Sequence, residues 1–252
     1  MTAPIQILIN SSKTMTVRSR ENIPARSPSL QAKAQQLAAH LKTLTPDELR
    51  HRMHISPKLA DATHDLITAW GEPGKPFGTA LDTFSGDIYR GLKAETLTHA
   101  DRLYADQTLR ILSGLYGLVR PLDAIQPYRL EMLYHIHPRG FKNLYDFWGD
   151  AIAKALDQDA LIVNLASEEY FKAVAPYIDP DLVVSPQFLT RTAATEPTFV
   201  AIHAKWARGS FARWLVVTQY TNPADFATFN DMGYTYTKAL STRNRPTFIR
   251  SM

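Results

Sequence analysis

The 252-residue sequence contains no cysteine. This absence excludes a disulfide framework, a zinc site with thiolate ligands, an iron–sulfur cluster and a cysteine nucleophile. Long apolar stretches are also lacking, because no window approaches the roughly 20 apolar residues that cross a membrane, and no basic flank precedes the short apolar run at residues 5–9. We therefore expect a cytoplasmic protein that has no membrane partner.

Positive charge is present, but it is concentrated at one end of the chain. The net charge is +4, and residues 197–252 carry seven Lys and Arg against two Asp, whereas the remaining 21 basic and 22 acidic residues give a balance of −1. A focused positive field favours polyanions such as nucleic acid, or small anionic molecules. A well-solvated basic surface is the alternative explanation.

Hydrophobic periodicity predicts helices early in the chain and strands later. No repeat or linker marks an internal boundary, so we expect one domain over residues 1–252. The predicted class is mixed α/β (α+β), a single compact domain in which helices flank a mixed sheet. Helices are predicted over residues 29–42, from residue 45 onward, over 56–70 and over 205–217, and strands over 5–9, 161–165, 182–189, 198–203, 234–237 and 247–250.

Several segments place charged residues among apolar, aromatic and glycine residues. Buried charge is costly unless it is paired, so each segment indicates either a satisfied polar network or a functional site. These segments are residues 84–92, 112–121, 126–132, 147–150 and 164–172.

In these segments the chain resembles the YaaA peroxide-stress proteins. The similarity covers nearly the whole chain, and its motifs occur in the family's order. Residues 11–14 correspond to the SPAKT element, 84–92 to FxGDxYxGL, 110–132 to RxLSGLYGxLRPLDxxxPYRLEM, 144–150 to LYxFWGD, 163–172 to INLAS(D/E)EYFK, 205–209 to KxARG and 229–234 to FNxxGY. The family pattern has Pro and Ala where this chain has Ser11 and Ser12, so the first loop differs in sequence.

The resemblance implies a cytosolic protein that protects bacteria from hydrogen peroxide by limiting free iron, and thereby limits damage to DNA and protein. It also implies DNA binding. The fold that it implies is a compact α/β body with a positively charged cleft and a helix-hairpin-helix element.

One glycine-containing segment has the composition that a helix-hairpin-helix turn requires. Such a turn is short and apolar around glycine, and its backbone N–H groups face a phosphate. Pro121 follows closely, so a second helix would be short or would begin afresh there, and a plain glycine turn is the alternative. The candidate turn consists of Ser113, Gly114, Leu115, Tyr116 and Gly117.

Lys205 and Arg208 are the strongest candidates for contacts with a phosphate backbone. They lie three residues apart on a predicted helix and therefore share a face. Trp206 and Trp214 nearby either stack on bases or pack in the core. Because no recognition-helix or zinc-finger signature is present, we expect DNA binding to favour structure over sequence.

The alternative hypothesis is an enzyme or a binder of a small anionic metabolite. Charged residues spread over the motifs often converge into one pocket, where a lysine beside carboxylates can act as acid, base or nucleophile. No nucleophile elbow, Walker loop or dinucleotide fingerprint is present, so no reaction is named and no cofactor is expected. His135 and His137 lack a further ligand at suitable spacing, so no metal site is predicted. The remaining candidate cations are Lys13, Arg120, Arg129 and Lys172, and the candidate pocket carboxylates are Asp87 and Glu131.

Overall fold

A five-stranded mixed sheet forms the centre of the fold in a computed structural model, which describes residues 4–18, 26–192 and 196–251. Its strand order is β6-β5-β1-β8-β9, and a second sheet has the order β10-β12-β11. Two small sheets pair β2 with β4 and β3 with β7. The strands are β1 Ile5–Asn10, β2 Thr14–Met15, β3 Gly78–Thr79, β4 Phe84–Ser85, β5 Leu109–Ser113, β6 Gly117–Val119, β7 Ala124–Ile125, β8 Leu161–Asn164, β9 Val183–Val184, β10 Gln187–Arg191, β11 Tyr234–Tyr236 and β12 Thr247–Ser251.

Strand β1 lies in the middle of the central sheet because its sequence suits burial on both faces. Residues 5–9 are all buried, as expected for a near-continuous apolar strand that has parallel neighbours. It pairs in parallel with β5 and with β8, while β6 runs antiparallel to β5. The predicted strands at residues 5–9 and 161–165 are confirmed, as is the prediction of a mixed α/β domain.

Helices cover the sheets, and the predicted helices of the first third are confirmed. Thr45 and Glu48 form a reciprocal capping box at the start of α2, and Ser56 caps α3. The helices are α1 Gln31–Leu41, α2 Pro46–Met53, α3 Pro57–Ala69, α4 Ala80–Thr83, α5 Asp87–Leu92, α6 His99–Thr108, α7 Leu144–Trp148, α8 Ala151–Lys154, α9 Glu168–Phe171 and α10 Ala201–Thr218. Within the described ranges, no helix combines the length and the apolar character that a membrane span needs.

An aromatic cluster fixes α10 against the second sheet. The ring of Phe211 lies 5.7 Å from Phe188 of β10, 5.5 Å from Phe248 of β12 and 4.9 Å from Phe229. Trp214 packs on the same cluster, 5.3 Å from Phe211, so the core interpretation is correct for this tryptophan. Pairs of this kind add about 0.5–1.5 kcal/mol beyond the area that they bury.

The strand predicted at residues 198–203 is wrong. Ala201 and the residues that follow it belong to α10, whereas Thr198 makes an isolated bridge to Thr190. The β-branched and aromatic residues at 198–200 resemble a strand, but the longer helical pattern that follows begins before Lys205. The predicted strands near the C-terminal end are confirmed as β11 and β12.

Helices α5 and α10 cross at backbone contact distance, and only glycine permits this approach. A Cβ atom on Gly209 would lie 1.8 Å from the carbonyl oxygen of Ile88, and one on Gly91 would lie 2.1 Å from the carbonyl oxygen of Trp206. Since side chains at either position would force the helices apart, the glycines fix the spacing of the two helices. The crossing brings the first turn of α5 beside the middle of α10.

Replacing Gly209 with Ala should therefore destabilise the protein by about 1–3 kcal/mol or more, because the new methyl group overlaps a backbone atom that cannot move independently. Thermal or urea unfolding measures this loss. Val217→Ala, on the exposed side of the same helix, is the control and should stay within about 0.5 kcal/mol of the parent. Equal stability of the Gly209→Ala variant and the control would contradict the close crossing.

Candidate functional site

A cavity of about 510 Å³ opens at the carboxyl ends of the central parallel strands. In open α/β sheets, ligands bind outside the carboxyl ends of the strands, at the point where the strand order reverses. Here the order reverses around β1, which has β5 on one side and β8 on the other. The central cavity is lined by Asn10, Ser11, Ser12, Lys13, Thr14, Gly86, Asp87, Ile88, Tyr89, Arg90, Glu131, Ser167, Glu169, Tyr170, Lys205 and Arg208.

The central cavity has a mixed lining with a small excess of positive charge. Among the described residues, four cations and three carboxylates line it. The structure thus brings five of the predicted site residues together, although they come from four separate motifs. The five are Lys13, Asp87, Glu131, Lys205 and Arg208, and the structure adds Arg90 and Glu169.

A hydrogen-bonded chain holds Glu131 in place at one side of the cavity. The Tyr170 hydroxyl donates to Oε1 of Glu131 at 3.0 Å, and Ser11 Oγ donates to the Tyr170 hydroxyl oxygen at 3.2 Å. Lys13 Nζ lies 3.4 Å from the other carboxylate oxygen. Burial raises the pKa of Tyr170 well above its ordinary value, so this phenol keeps its proton and remains a donor.

Glu169 lies in the same part of the cavity and is partly buried. Its Oε1 accepts the backbone N–H of Leu133 at 3.0 Å. Burial raises the pKa of Glu169, and the charge of nearby Glu131 adds to this rise, whereas the Leu133 amide and Lys13 oppose it. Two carboxylates therefore lie near each other in a partly desolvated place.

Lys205 and Arg208 occupy the face of α10 that lines the central cavity. Lys205 is exposed and Arg208 is half-buried. Within the part of the chain that the structure describes, neither side chain has an ion pair or a hydrogen bond. Burial lowers the pKa of Arg208, but a guanidinium remains protonated in proteins. An unpaired and partly desolvated cation is the group that an anionic ligand would stabilise.

Asp87 begins α5 and connects that helix to α10. Its Oδ1 accepts the indole N–H of Trp206 at 3.0 Å and lies 3.9 Å from Arg90 Nη1. Trp206 therefore holds a carboxylate of the cavity wall. Asp87 can reach Trp206 because α5 and α10 cross closely.

Three predicted cations lie outside the cavity lining. Arg120 donates to a carboxylate oxygen of Asp106 at 3.0 Å and forms part of a structural ion-pair network. Lys172 is exposed and lies 5.1 Å from the ring centroid of Tyr145. Arg129 is half-buried, and its Nε has no hydrogen-bond partner among the described residues.

The predicted helix-hairpin-helix turn is instead the turn of a β-hairpin. Ser113 pairs with Gly117 at the end of antiparallel β5 and β6, and the segment is buried. The backbone N–H of Tyr116 donates to Ser113 Oγ at 2.9 Å, so it does not face a phosphate. The prediction for this segment is wrong because a glycine turn suits strands as well as helices. Two successive helices with a short connection do occur at α2 and α3, which residues 54–56 join.

Sequence reasoning missed Ser11, Arg90, Glu169 and Tyr170 as cavity residues. All four belong to the motifs that carry the family resemblance. Their signal was the same as for Asp87 and Glu131, namely polar residues at strand or helix ends inside apolar segments. In the described ranges, no three His, Cys, Asp or Glu side chains are grouped to hold a metal ion.

The fold and the cavity define a mixed α/β protein with a charged cavity at the carboxyl ends of the parallel strands of its central sheet. A family model described as peroxide stress protein YaaA matches residues 5–240, and the chain belongs to this family. A UPF0246 protein of Salinispora tropica is 48% identical over 244 residues, which cover 96% of this chain and 93% of that protein. The UPF0246 protein RD1_0358 of Roseobacter denitrificans is 38% identical over 253 residues, with 97% of each chain covered.

Replacing Glu169 with Gln should change how stability depends on pH. A carboxyl group whose pKa is raised on folding contributes stability below its unfolded-state pKa, which is about 4.3, and loses that contribution as the pH rises through the folded-state value. The variant should therefore gain Tm relative to the parent as the pH rises from acidic to alkaline. Melting curves across that range measure the difference. The adjacent exposed Glu168→Gln is the control, and a difference for Glu169→Gln that is constant with pH would contradict the expectation.

Proposed function

We propose that the central cavity and its rim bind the phosphate backbone of DNA and prefer a DNA structure over a base sequence. The observation that carries this proposal is the pair of unpaired cations on one face of α10. Lys205 is free to reach a phosphate, and the half-buried Arg208 lacks a counter-charge among the described residues. An arginine guanidinium can donate two parallel hydrogen bonds to one phosphate.

The charge distribution supports the same proposal. Residues 197–252 carry an excess of five positive charges, and α10 lies within this part of the chain. Lys13 also lines the cavity, where it lies 3.4 Å from a carboxylate oxygen of Glu131. Phosphate contacts of this kind position a protein on DNA without reading bases. Preference for structure over sequence is therefore expected.

The double variant Lys205→Ala/Arg208→Ala should bind duplex, bubble and single-stranded DNA more weakly than the parent. Each lost phosphate contact lowers the slope of log K against log salt by about 0.9 on duplex DNA, so the slope should fall by about 2. Fluorescence anisotropy across a salt series gives both quantities. Asp87→Asn should bind more tightly, since it removes a negative charge and keeps an acceptor for Trp206.

A matched control is Lys238→Ala/Arg243→Ala. It removes the same charge from exposed residues of the same basic region, outside the central cavity. The control should retain more of the affinity than the cavity variant. If the two double variants lost affinity equally, the cavity would have no special part in DNA binding.

We propose further that this binding limits iron-dependent oxidative damage to DNA. The family description names peroxide stress, which supports the link between the chain and oxidation. Hydroxyl radicals react close to the place where iron and peroxide generate them, so a protein that covers the backbone shields the bound segment. The protection acts at the DNA itself. The lowering of free iron that the family resemblance implies is a separate expectation.

DNA exposed to ferrous iron and peroxide should show fewer strand breaks when the parent protein is bound. The Lys205→Ala/Arg208→Ala variant at the same concentration should protect less, because less of the DNA is covered. Denaturing electrophoresis of an end-labelled duplex measures the breaks. Equal protection by both proteins would show that shielding does not depend on Lys205 and Arg208, which would contradict this proposal.

The second candidate function is binding or conversion of a small anionic metabolite. One observation favours it: Glu131 and Glu169 lie in the same cavity as the cations. Carboxylates would not contribute to the binding of a ligand that offers only negative charge. The volume is also within the range of roughly 300–1,000 Å³ that is typical of small-molecule sites. For an enzyme, Asp87→Asn and Glu131→Gln would abolish turnover, whereas for DNA binding Asp87→Asn strengthens the complex.

A further inference from the structure

The central cavity combines groups that no single phosphate can satisfy. Lys205 and Arg208 on α10 are suited to an anion, whereas Glu131 and Glu169 repel one. A backbone that merely crosses the rim would meet the cations and gain nothing from the carboxylates. The lining therefore points to a ligand that carries negative charge at one end and hydrogen-bond donors at the other.

The carboxylates are held so that they can receive such donors. Glu131 is fixed by the Tyr170 hydroxyl at 3.0 Å and by Lys13 at 3.4 Å, and Glu169 is fixed by the Leu133 amide at 3.0 Å. An ionised carboxylate only accepts hydrogen bonds and has about four lone-pair positions. Both groups thus keep acceptor capacity after their protein contacts are counted, and ligand N–H groups can use it.

We propose that the central cavity receives one nucleotide, with its phosphate at Lys205 and Arg208 and the N–H donors of its base at Glu131 and Glu169. This proposal deepens the DNA-binding function and rests on it where the nucleotide is an unpaired residue of DNA. The base must then leave the stack, as it does in proteins that read a flipped base through its Watson–Crick edge. A cavity of about 510 Å³ is of the size that small-molecule ligands occupy.

Guanine fits the carboxylates best among the bases. Its Watson–Crick edge presents a ring N–H beside an amino group, and these two donors match the two oxygens of one carboxylate. Hypoxanthine keeps the ring N–H and lacks the amino group, so it is a matched comparison. A free nucleotide carries the same phosphate and the same donors, and the experiment must distinguish it from a nucleotide in DNA.

The first arm of the experiment uses a duplex with one unpaired 2-aminopurine, which keeps the 2-amino donor of guanine but has no ring N–H, and the same duplex with that base paired to thymine. Fluorescence of 2-aminopurine rises when the base leaves the stack, and anisotropy of an end label reports binding independently. With the parent protein at saturation, fluorescence should rise for the unpaired probe. In Glu131→Gln and Glu169→Gln, each of which keeps an amide oxygen as an acceptor, the rise per bound probe should fall.

Two controls separate base insertion from general effects. Glu72→Gln changes an exposed carboxylate outside the cavity lining and should leave the fluorescence rise unchanged. Circular dichroism shows whether the cavity variants remain folded. If a Glu131→Gln protein were unfolded, Glu169→Gln would supply the same comparison through a different element.

The second arm titrates the protein with dGMP, dIMP and inorganic phosphate in a calorimeter. The loss of one hydrogen bond to a charged acceptor corresponds to roughly tenfold in affinity, so dGMP should bind about tenfold more tightly than dIMP. Inorganic phosphate should bind more weakly than either nucleotide. Glu131→Gln should reduce the preference for dGMP.

The outcomes distinguish the two proposals. DNA binding with a carboxylate-dependent fluorescence rise supports both. Failure to bind DNA, together with tight binding of dGMP, overturns the DNA-binding function and supports a cavity for a free nucleotide. If DNA binds without a rise in 2-aminopurine fluorescence, and dGMP binds no more tightly than phosphate, the nucleotide cavity is overturned. DNA binding then stands by itself. Failure of both ligands overturns both proposals.

Discussion

The close crossing of α5 and α10 is the constraint on which the arrangement of the cavity depends. Gly91 and Gly209 let the two backbones touch, and any Cβ atom there would meet a carbonyl oxygen. Because of this contact, a carboxylate at the start of α5 and two cations in the middle of α10 face the same space. The aromatic cluster around Phe211 holds α10 from its other side. The packing of α5 against α10 therefore also determines which side chains line the cavity.

The electrostatics of the cavity differ between its two sides. On the side of Glu131 and Glu169, each carboxylate already has hydrogen-bond partners in the protein. On the α10 side, Arg208 has lost part of its hydration and gains no counter-charge from the described residues. An anionic ligand would supply the missing counter-charge at a guanidinium that has already lost part of its hydration.

Local sequence patterns predicted the early helices and the first strand of the central sheet. The starts of α2 and α3 are capped by residues within one helical turn, so local sequence predicts them. The apolar run at residues 5–9 predicts β1 through its buried character, although its hydrogen-bond partners in β5 and β8 lie far along the chain. The convergence of Lys13, Asp87 and Glu131 was predicted from motif composition and the resemblance.

What local patterns missed depends on partners far away in the chain. Arg120 was predicted to contact an anionic ligand, but it pairs with the Asp106 carboxylate, which also accepts from Arg26. No local sequence pattern predicts that pairing. The turn at residues 113–117 was misassigned for a similar reason, since only the pairing of β5 with β6 decides between strand and helix. Glu169 was missed because it lines the same cavity as Glu131 but belongs to a different motif, and no local pattern relates the two residues.

The position of β12 in the second sheet has a consequence for protein synthesis. Residues 247–251 form the middle strand, between β10 and β11, and Phe248 contacts the face of α10 through Phe211. A nascent chain that has emerged only as far as α10 lacks this support, so the helix that carries Lys205 and Arg208 cannot yet dock firmly. Residues 247–251 must therefore have left the ribosome before α10 gains the packing that β12 supplies through Phe248.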